Sequence, residues 1–164
     1  MGGLIAQLLD PSTEARIKRR VLVGAPPAGK PLISPALGLR AVKYLPAIIC
    51  GWPWKYTHRD YIELLCNELD DSLADSLYTA SVKESGWAAL QMLTGRSRVQ
   101  KISDEIHVLY AKRDLLVPPQ LQRKMLNMYP NVSVLGFEGG HMSLFEPNHP
   151  VVDEILAWLY PPKE

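Results

Sequence analysis

Three short runs of β-branched and leucine residues constrain this chain more than any other feature. They are Val21 to Val23, Ile106 to Tyr110 and Val132 to Phe137. The first ends in Gly24-Ala25-Pro26-Pro27, and a continuous apolar run stopped by glycine and proline suits a strand covered on both faces, as in a parallel sheet. Helical patterns fill the spaces between the runs. One covers about Gly3 to Leu9 and is broken by Asp10-Pro11, a second spans Pro119 to Met128, and a third runs from Val151 to Tyr160 before Pro161-Pro162 stops it. The last puts Val151, Val152, Ile155, Leu156 and Leu159 on one side. From Ala28 to about Arg98 the texture is helical without a strand signal, interrupted by the aromatic loop GWPWKY. The order is therefore α, β, a helical insertion, β, α, β, α. Such alternation predicts an α/β fold of about three parallel strands with right-handed crossovers, the insertion leaving from a strand's carboxyl end. The boundaries expected are 1–27 for the first part of the core, 28–100 for the helical insertion and 101–164 for the rest of the core.

The 164 residues are 47% hydrophobic and 21% charged, which describes a globular chain with a real core rather than a disordered tail. A net charge of +1 offers no electrostatic argument for nucleic acid or an anionic membrane, and the cluster Arg16, Lys18, Arg19, Arg20 reads as a solvated turn. Cys50 and Cys66 lack metal-ligand spacing and read as buried structural thiols, so no metal and no cofactor is expected. The start has neither the cationic segment nor the cleavage site of a signal peptide, and no apolar run approaches the roughly 20 residues of a membrane span. The default location is cytoplasmic. Gly2 does not make a myristoylation motif, because position 6 is Ala.

Two loops carry titratable groups directly after strands. Lys112-Arg113-Asp114-Leu115-Leu116-Val117-Pro118 follows IHVLY, and Glu138-Gly139-Gly140-His141-Met142 follows VSVLGF. Parallel strands deliver both loops to the same carboxyl edge, where open α/β sheets place their ligand sites. Neighbouring strands lie about 4.8 Å apart, so Asp114 on one loop can orient the His141 imidazole on the next. Taken singly, Asp114 reads as a turn or cap residue and His141 as a loop residue. Their order and placement make the pair less ordinary.

At these residues the chain resembles the α/β-hydrolase family, in its lipase, esterase and peptidase-like branch with a helical cap. The resemblance runs through MGGLIAQLL, RVLVGAPPAG, the cap-like stretch, IHVLYAKRDLLVP and FEGGHMSLFEPNHPVVDEILAWL. It implies a catalytic triad in the chain order nucleophile, acid, histidine, with the nucleophile in G-x-S-x-G on a strand-to-helix turn. Many members write that turn G-x-S-M-G-G, and Met1-Gly2-Gly3 matches its last three residues. The nucleophilic serine then stands immediately before Met1, and the chain is expected to be the carboxyl-terminal part of such an enzyme. The resemblance assigns the acid to Asp114, the base to His141 and one oxyanion-hole donor to the Met1 backbone N–H, here a terminal ammonium. It also leaves one edge of VLVG bare, with self-association as the expected result.

Ser34, Ser81, Ser85, Ser97, Ser103 and Ser143 lie in cap-like, turn or loop contexts and lack the G-x-S-x-G surround a nucleophile needs. Ser143 reads as a turn residue, and Asp60 and Asp70 stand outside the elbow position a dehalogenase-like nucleophile needs. Trp52, Pro53, Trp54 and Tyr56 either line an acyl pocket or form the cap's own small core, the second being favoured. The leading functional expectation is a serine hydrolase acting on a small-molecule carboxylic ester or related acyl substrate, inactive as this chain alone. The alternative is a non-catalytic truncated or binding protein that keeps the second half of the fold.

Overall fold

The computed structural model describes residues 2–9, 17, 19–32, 34–97 and 105–161. Three parallel strands, β1 (Arg19–Val23), β2 (Glu105–Ala111) and β3 (Val132–Phe137), lie in the order β1-β2-β3. Leu22 pairs with Val108, and Val108 with Val134. The first two strands extend past their apolar runs, because Arg19 pairs with Glu105 in the same register. Arg19 and Arg20 therefore do not form a solvated turn. Arg20 is buried with its guanidinium on the Ala6 carbonyl, and Arg19 meets Glu105 at 3.0 Å and the Trp158 carbonyl at 2.8 Å. Lys18 and Arg16 lie outside the described residues.

One face of the sheet packs Leu22, Ile106 and Val108 against Met125, Tyr129 and Ala6. Ala6 belongs to α1 (Gly2–Gln7), which approaches closely because Gly3 has no side chain: a Cβ there would stand 2.4 Å from the Ala25 Cβ. The expected helix over Pro119 to Met128 is instead one α turn, Pro119–Gln122, followed by a 3₁₀ segment, Arg123–Asn127. The tighter winding turns Met125 inward, fully buried against the sheet. The other face packs Leu109, Ala111 and Phe137 against Val151 and Ile155 of the last helix, Val151–Leu159. Only part of that helix's apolar side is covered, since Val152 and Leu156 sit one step round the wheel and are exposed.

Between β1 and β2 lies a helical layer. A 3₁₀ segment, Gly38–Tyr44, passes into α2 (Leu45–Ile49), whose first turn accommodates Pro46 because the first N–H groups of a helix have no partner within it. Then come α3 (His58–Leu65), α4 (Asp71–Ala80) and α5 (Gly86–Thr94), started by the side-chain caps Thr57, Asp70 and Ser85. One isolated antiparallel bridge, Trp54 to Glu84, ties the aromatic loop to the approach of α5, an extended pairing the helical texture did not signal. Cys66 is buried in the core of this layer, where burial pushes its thiol up to about 11. Cys50 is exposed, against expectation, because it falls on the turn after α2.

A buried amide joins α1 to the sheet. Gln7 donates to the Gly3 and Pro26 carbonyls at 3.0 and 2.9 Å and accepts from the Ala28 N–H and the Tyr129 hydroxyl at 3.0 and 2.9 Å. Replacing it with leucine would leave those partners buried without bonds. Gln7→Leu should therefore lower the unfolding free energy by about 2–3 kcal/mol, read from urea denaturation, and an unchanged midpoint would show that the amide is dispensable.

Candidate active site

The strand ladder continues beyond the strands and carries three loops to one edge. Gly24 N–H donates to the Leu109 carbonyl at 3.1 Å, Lys112 N–H to Phe137 at 2.9 Å, and Arg113 N–H to Gly139 at 2.9 Å. Asp114 follows directly and is 3% exposed. Its Oδ1 accepts the Leu116 and Val117 backbone N–H groups at 2.9 and 2.8 Å, the turn role expected of a lone Asp in this context. Its Oδ2 accepts the Gln122 side-chain amide at 3.2 Å and lies 2.8 Å from His141 Nδ1. Turn residue and histidine partner are thus one carboxylate. Four donors meet its two oxygens, which is what makes its burial tolerable.

The carboxylate demands hydrogen on Nδ1 and leaves Nε2 of a neutral imidazole as the acceptor. Among the described residues, no protein group hydrogen-bonds that nitrogen. The histidine loop is held from two sides. Ser143 Oγ accepts the Gly140 N–H at 2.8 Å, and Met142 N–H donates to the Leu65 carbonyl of α3 at 3.1 Å. Gly24 closes the third side: a Cβ there would stand 3.2 Å from His141 Cε1 and 3.3 Å from Nδ1.

His141 faces a chamber of about 380 Å³ beneath the helical layer, walled by Trp54, Tyr56, Tyr61, Leu116 and Met142. Trp54 and Tyr56 also pack against Tyr44, tilted and edge-on at centroid separations of 4.9 and 5.4 Å, so they serve the layer's core and the chamber wall together. Burial raises the hydroxyl pKa of both Tyr56 and Tyr61, keeping these two side chains neutral, while Lys55 and Glu84 complete the wall. Trp52 does neither and is 62% exposed.

The remaining candidates have local tasks. Ser34 donates to the Leu115 carbonyl, Ser81 to Tyr78, Ser97 accepts from Gly29, and Ser85 caps α5. Ser143 is the buried turn residue already described, while Ser103 and Met1 lie outside the described residues. Asp60 is buried beneath Tyr44 and Lys43. Burial alone would raise its pKa, but the Lys43 ammonium and the Tyr44 hydroxyl outweigh that and hold it low. Asp70 caps α4. Glu138 stands on the exposed surface paired with Lys112 and Arg113, at 2.5 and 3.0 Å, and the Lys112 ammonium holds its carboxyl low. Its position leaves Asp114 as the carboxylate that meets His141.

Two members of the site were not visible in the sequence. Gly24 reads there as a strand terminator and Gln122 as a helix residue. Gly24 matters through a ring far along the chain, and Gln122 through a carboxylate on the preceding loop, outside its own helical turn.

No protein-family model matches the chain, and no curated protein does. Solved structures do. An esterase from Thermogutta terrifontis is similar over 96% of this chain and 61% of its own, at 18% identity and a TM-score of 0.67. A monoacylglycerol lipase from Paleococcus ferrophilus is similar over 96% and 64%, at 16% identity and a TM-score of 0.64. An alpha/beta hydrolase fold protein from Chitinophaga pinensis is similar over 98% and 62%, at 14% identity and a TM-score of 0.59. The chain thus spans little more than three fifths of the length of these structures.

Gly24 has φ +58°, a left-handed conformation that costs a residue with a side chain about 1–2 kcal/mol. Gly24→Ala adds that strain and pushes on the imidazole. In proton NMR of the folded variant, the downfield Nδ1–H resonance of His141 should be broadened or lost. A sharp, unmoved resonance would mean that Gly24 does not hold the ring.

Proposed function

Taking the carboxyl-terminal part of an α/β-hydrolase fold as the premise, we propose that this chain carries the acid and base of a serine-hydrolase site for a carboxylic ester or related acyl compound. The observation that carries the reading is the 2.8 Å contact between buried Asp114 and His141, at the carboxyl edge of the sheet and facing the chamber. His141 Nε2 takes the proton of the attacking serine and returns it to the leaving group, while Asp114 fixes the tautomer and stabilises the imidazolium that forms. The serine belongs to a segment ahead of Met1, and the Met1 N–H becomes an oxyanion donor once it is a peptide amide. Residues 28–100 act as the cap, and 1–27 with 101–164 as the core. The mostly apolar wall of the chamber favours an uncharged acyl group. No described helix is long and apolar enough to cross a membrane. We place the protein in the cytoplasm.

The test has two stages. The chain alone should hydrolyse a short-chain chromogenic ester at the buffer rate; turnover abolished by His141→Ala would reveal a nucleophile within it. With an upstream segment ending in G-x-S joined before Met1, turnover should appear. Asp114→Asn should then reduce it about 10⁴-fold through the wrong tautomer, and His141→Ala at least as much. Glu138→Gln should leave it near wild type. If Glu138→Gln silences the enzyme and Asp114→Asn does not, the acid is misassigned.

The second expectation concerns β1, which among the described residues pairs only with β2. An unpaired parallel edge is a template for association. We propose that the isolated chain self-associates through it. Light scattering at micromolar concentration should show oligomers, whereas a clean monomer with a sharp melt would overturn the idea.

A further inference from the structure

The α turn that follows the Asp114 loop carries a buried side chain to which the mechanism above gives no role. Gln122 is fully buried, and its amide nitrogen donates twice, to the Val117 carbonyl at 2.7 Å and to Asp114 Oδ2 at 3.2 Å. Both neighbours are acceptors, so only the nitrogen end of the amide can face them. The oxygen end is buried with no hydrogen-bond partner among the described residues. An orphaned buried acceptor is destabilising, and the fold tolerates it while holding an NH₂ group against the acid. The bonds also close a ring. Val117 gives its N–H to Asp114 Oδ1 at 2.8 Å and its carbonyl to Gln122, which returns to Asp114 Oδ2. Both carboxylate oxygens are thus tied to one turn, and His141 meets an oxygen that already serves another donor.

We infer that Gln122 is a positioning residue that tempers the acid: it occupies one lone pair of Oδ2, draws off part of its negative charge, and so limits how firmly Asp114 holds the protonated His141 ring. A carboxylate whose charge falls on the ring alone binds an imidazolium more tightly. A base held that way keeps its proton too well to shuttle it, and sharing Oδ2 leaves the ring able to take a proton up and give it back. Lys55, Tyr56, Tyr61 and Glu84 of the helical layer line the same chamber as His141, and a change at position 122 leaves all four in place. The shared oxygen is independent of what the site does. Its use in catalysis rests on the hydrolase reading.

The experiment compares the chain with Gln122→Met, which keeps the length of the side chain and removes the donor. In proton NMR the downfield Nδ1–H resonance of His141 should stay sharp and move further downfield in the variant, because Oδ2 then has one donor where it had two. A purely structural amide gives the opposite result, a lower melting temperature with that resonance unmoved, and this outcome overturns the inference. The wild type supplies a second test that needs no folded variant. Its Gln122 side-chain N–H resonances should shift as His141 takes up a proton, and resonances that stay in place also overturn the inference. With the upstream segment joined before Met1, the acid limb of kcat/KM should move to higher pH in Gln122→Met by about half a pH unit, lowering kcat/KM on that limb about threefold. An unmoved limb counts against the role in catalysis. If the joined protein hydrolyses no ester, the hydrolase reading fails and the two NMR measurements still decide this one.

Discussion

The site is organised around one buried charge. Asp114 sits at the end of a central strand with almost no contact with water, and a carboxylate so placed costs several kcal/mol unless its oxygens are met by donors. Here the loop supplies two backbone N–H groups, the following helical turn supplies Gln122, and the neighbouring loop supplies His141. The requirement to satisfy Asp114 therefore sets the shape of the acid loop, the orientation of Gln122 and the tautomer of the histidine together. Pro118 and Pro119 end the loop just where the next element must begin, so little freedom remains in it.

The helical layer is fastened to those same loops. Beyond the backbone bond from Met142 to Leu65, the Asn67 amide donates to the Arg113 carbonyl at 3.1 Å, and Arg113 pairs with Glu68 at 2.8 Å. The turn between α3 and α4 thus touches both the acid loop and the histidine loop. Exposed ion pairs contribute little individually. The two amide-type bonds lie closer to the loops they hold and give the contact its direction. Among the described residues, no hydrogen bond joins the far side of the layer, around the Trp54–Glu84 bridge, to either loop.

Much of this was readable beforehand. The strand runs Val21 to Val23 and Val132 to Phe137 stood out because buried parallel strands tolerate so little polarity, and Asp114 and His141 stood out because each follows such a run. The misreadings have physical causes. Arg19 and Arg20 looked like a turn because charge usually marks solvent, yet Arg19 reaches the Trp158 carbonyl of the last helix and Arg20 is buried against the Ala6 carbonyl of α1. The segment from Pro119 looked like one helix because α and 3₁₀ windings share nearly the same apolar spacing over so few residues. Gly24 and Gln122 could not be seen, since a glycine pressed against a ring and an amide reaching a carboxylate leave no local pattern.

The placement of the helical layer between β1 and β2 has a consequence for how the chain folds. Those strands are immediate neighbours in the sheet, yet the whole layer separates them in sequence. Bringing them together closes a long loop and costs entropy before any ladder bond rewards it. The contacts within α3 to α5 are local by comparison and can form early. The sheet, and with it the edge that aligns Gly24, Asp114 and His141, is then a late product of folding. Assembly is slowest at the edge that carries Asp114 and His141.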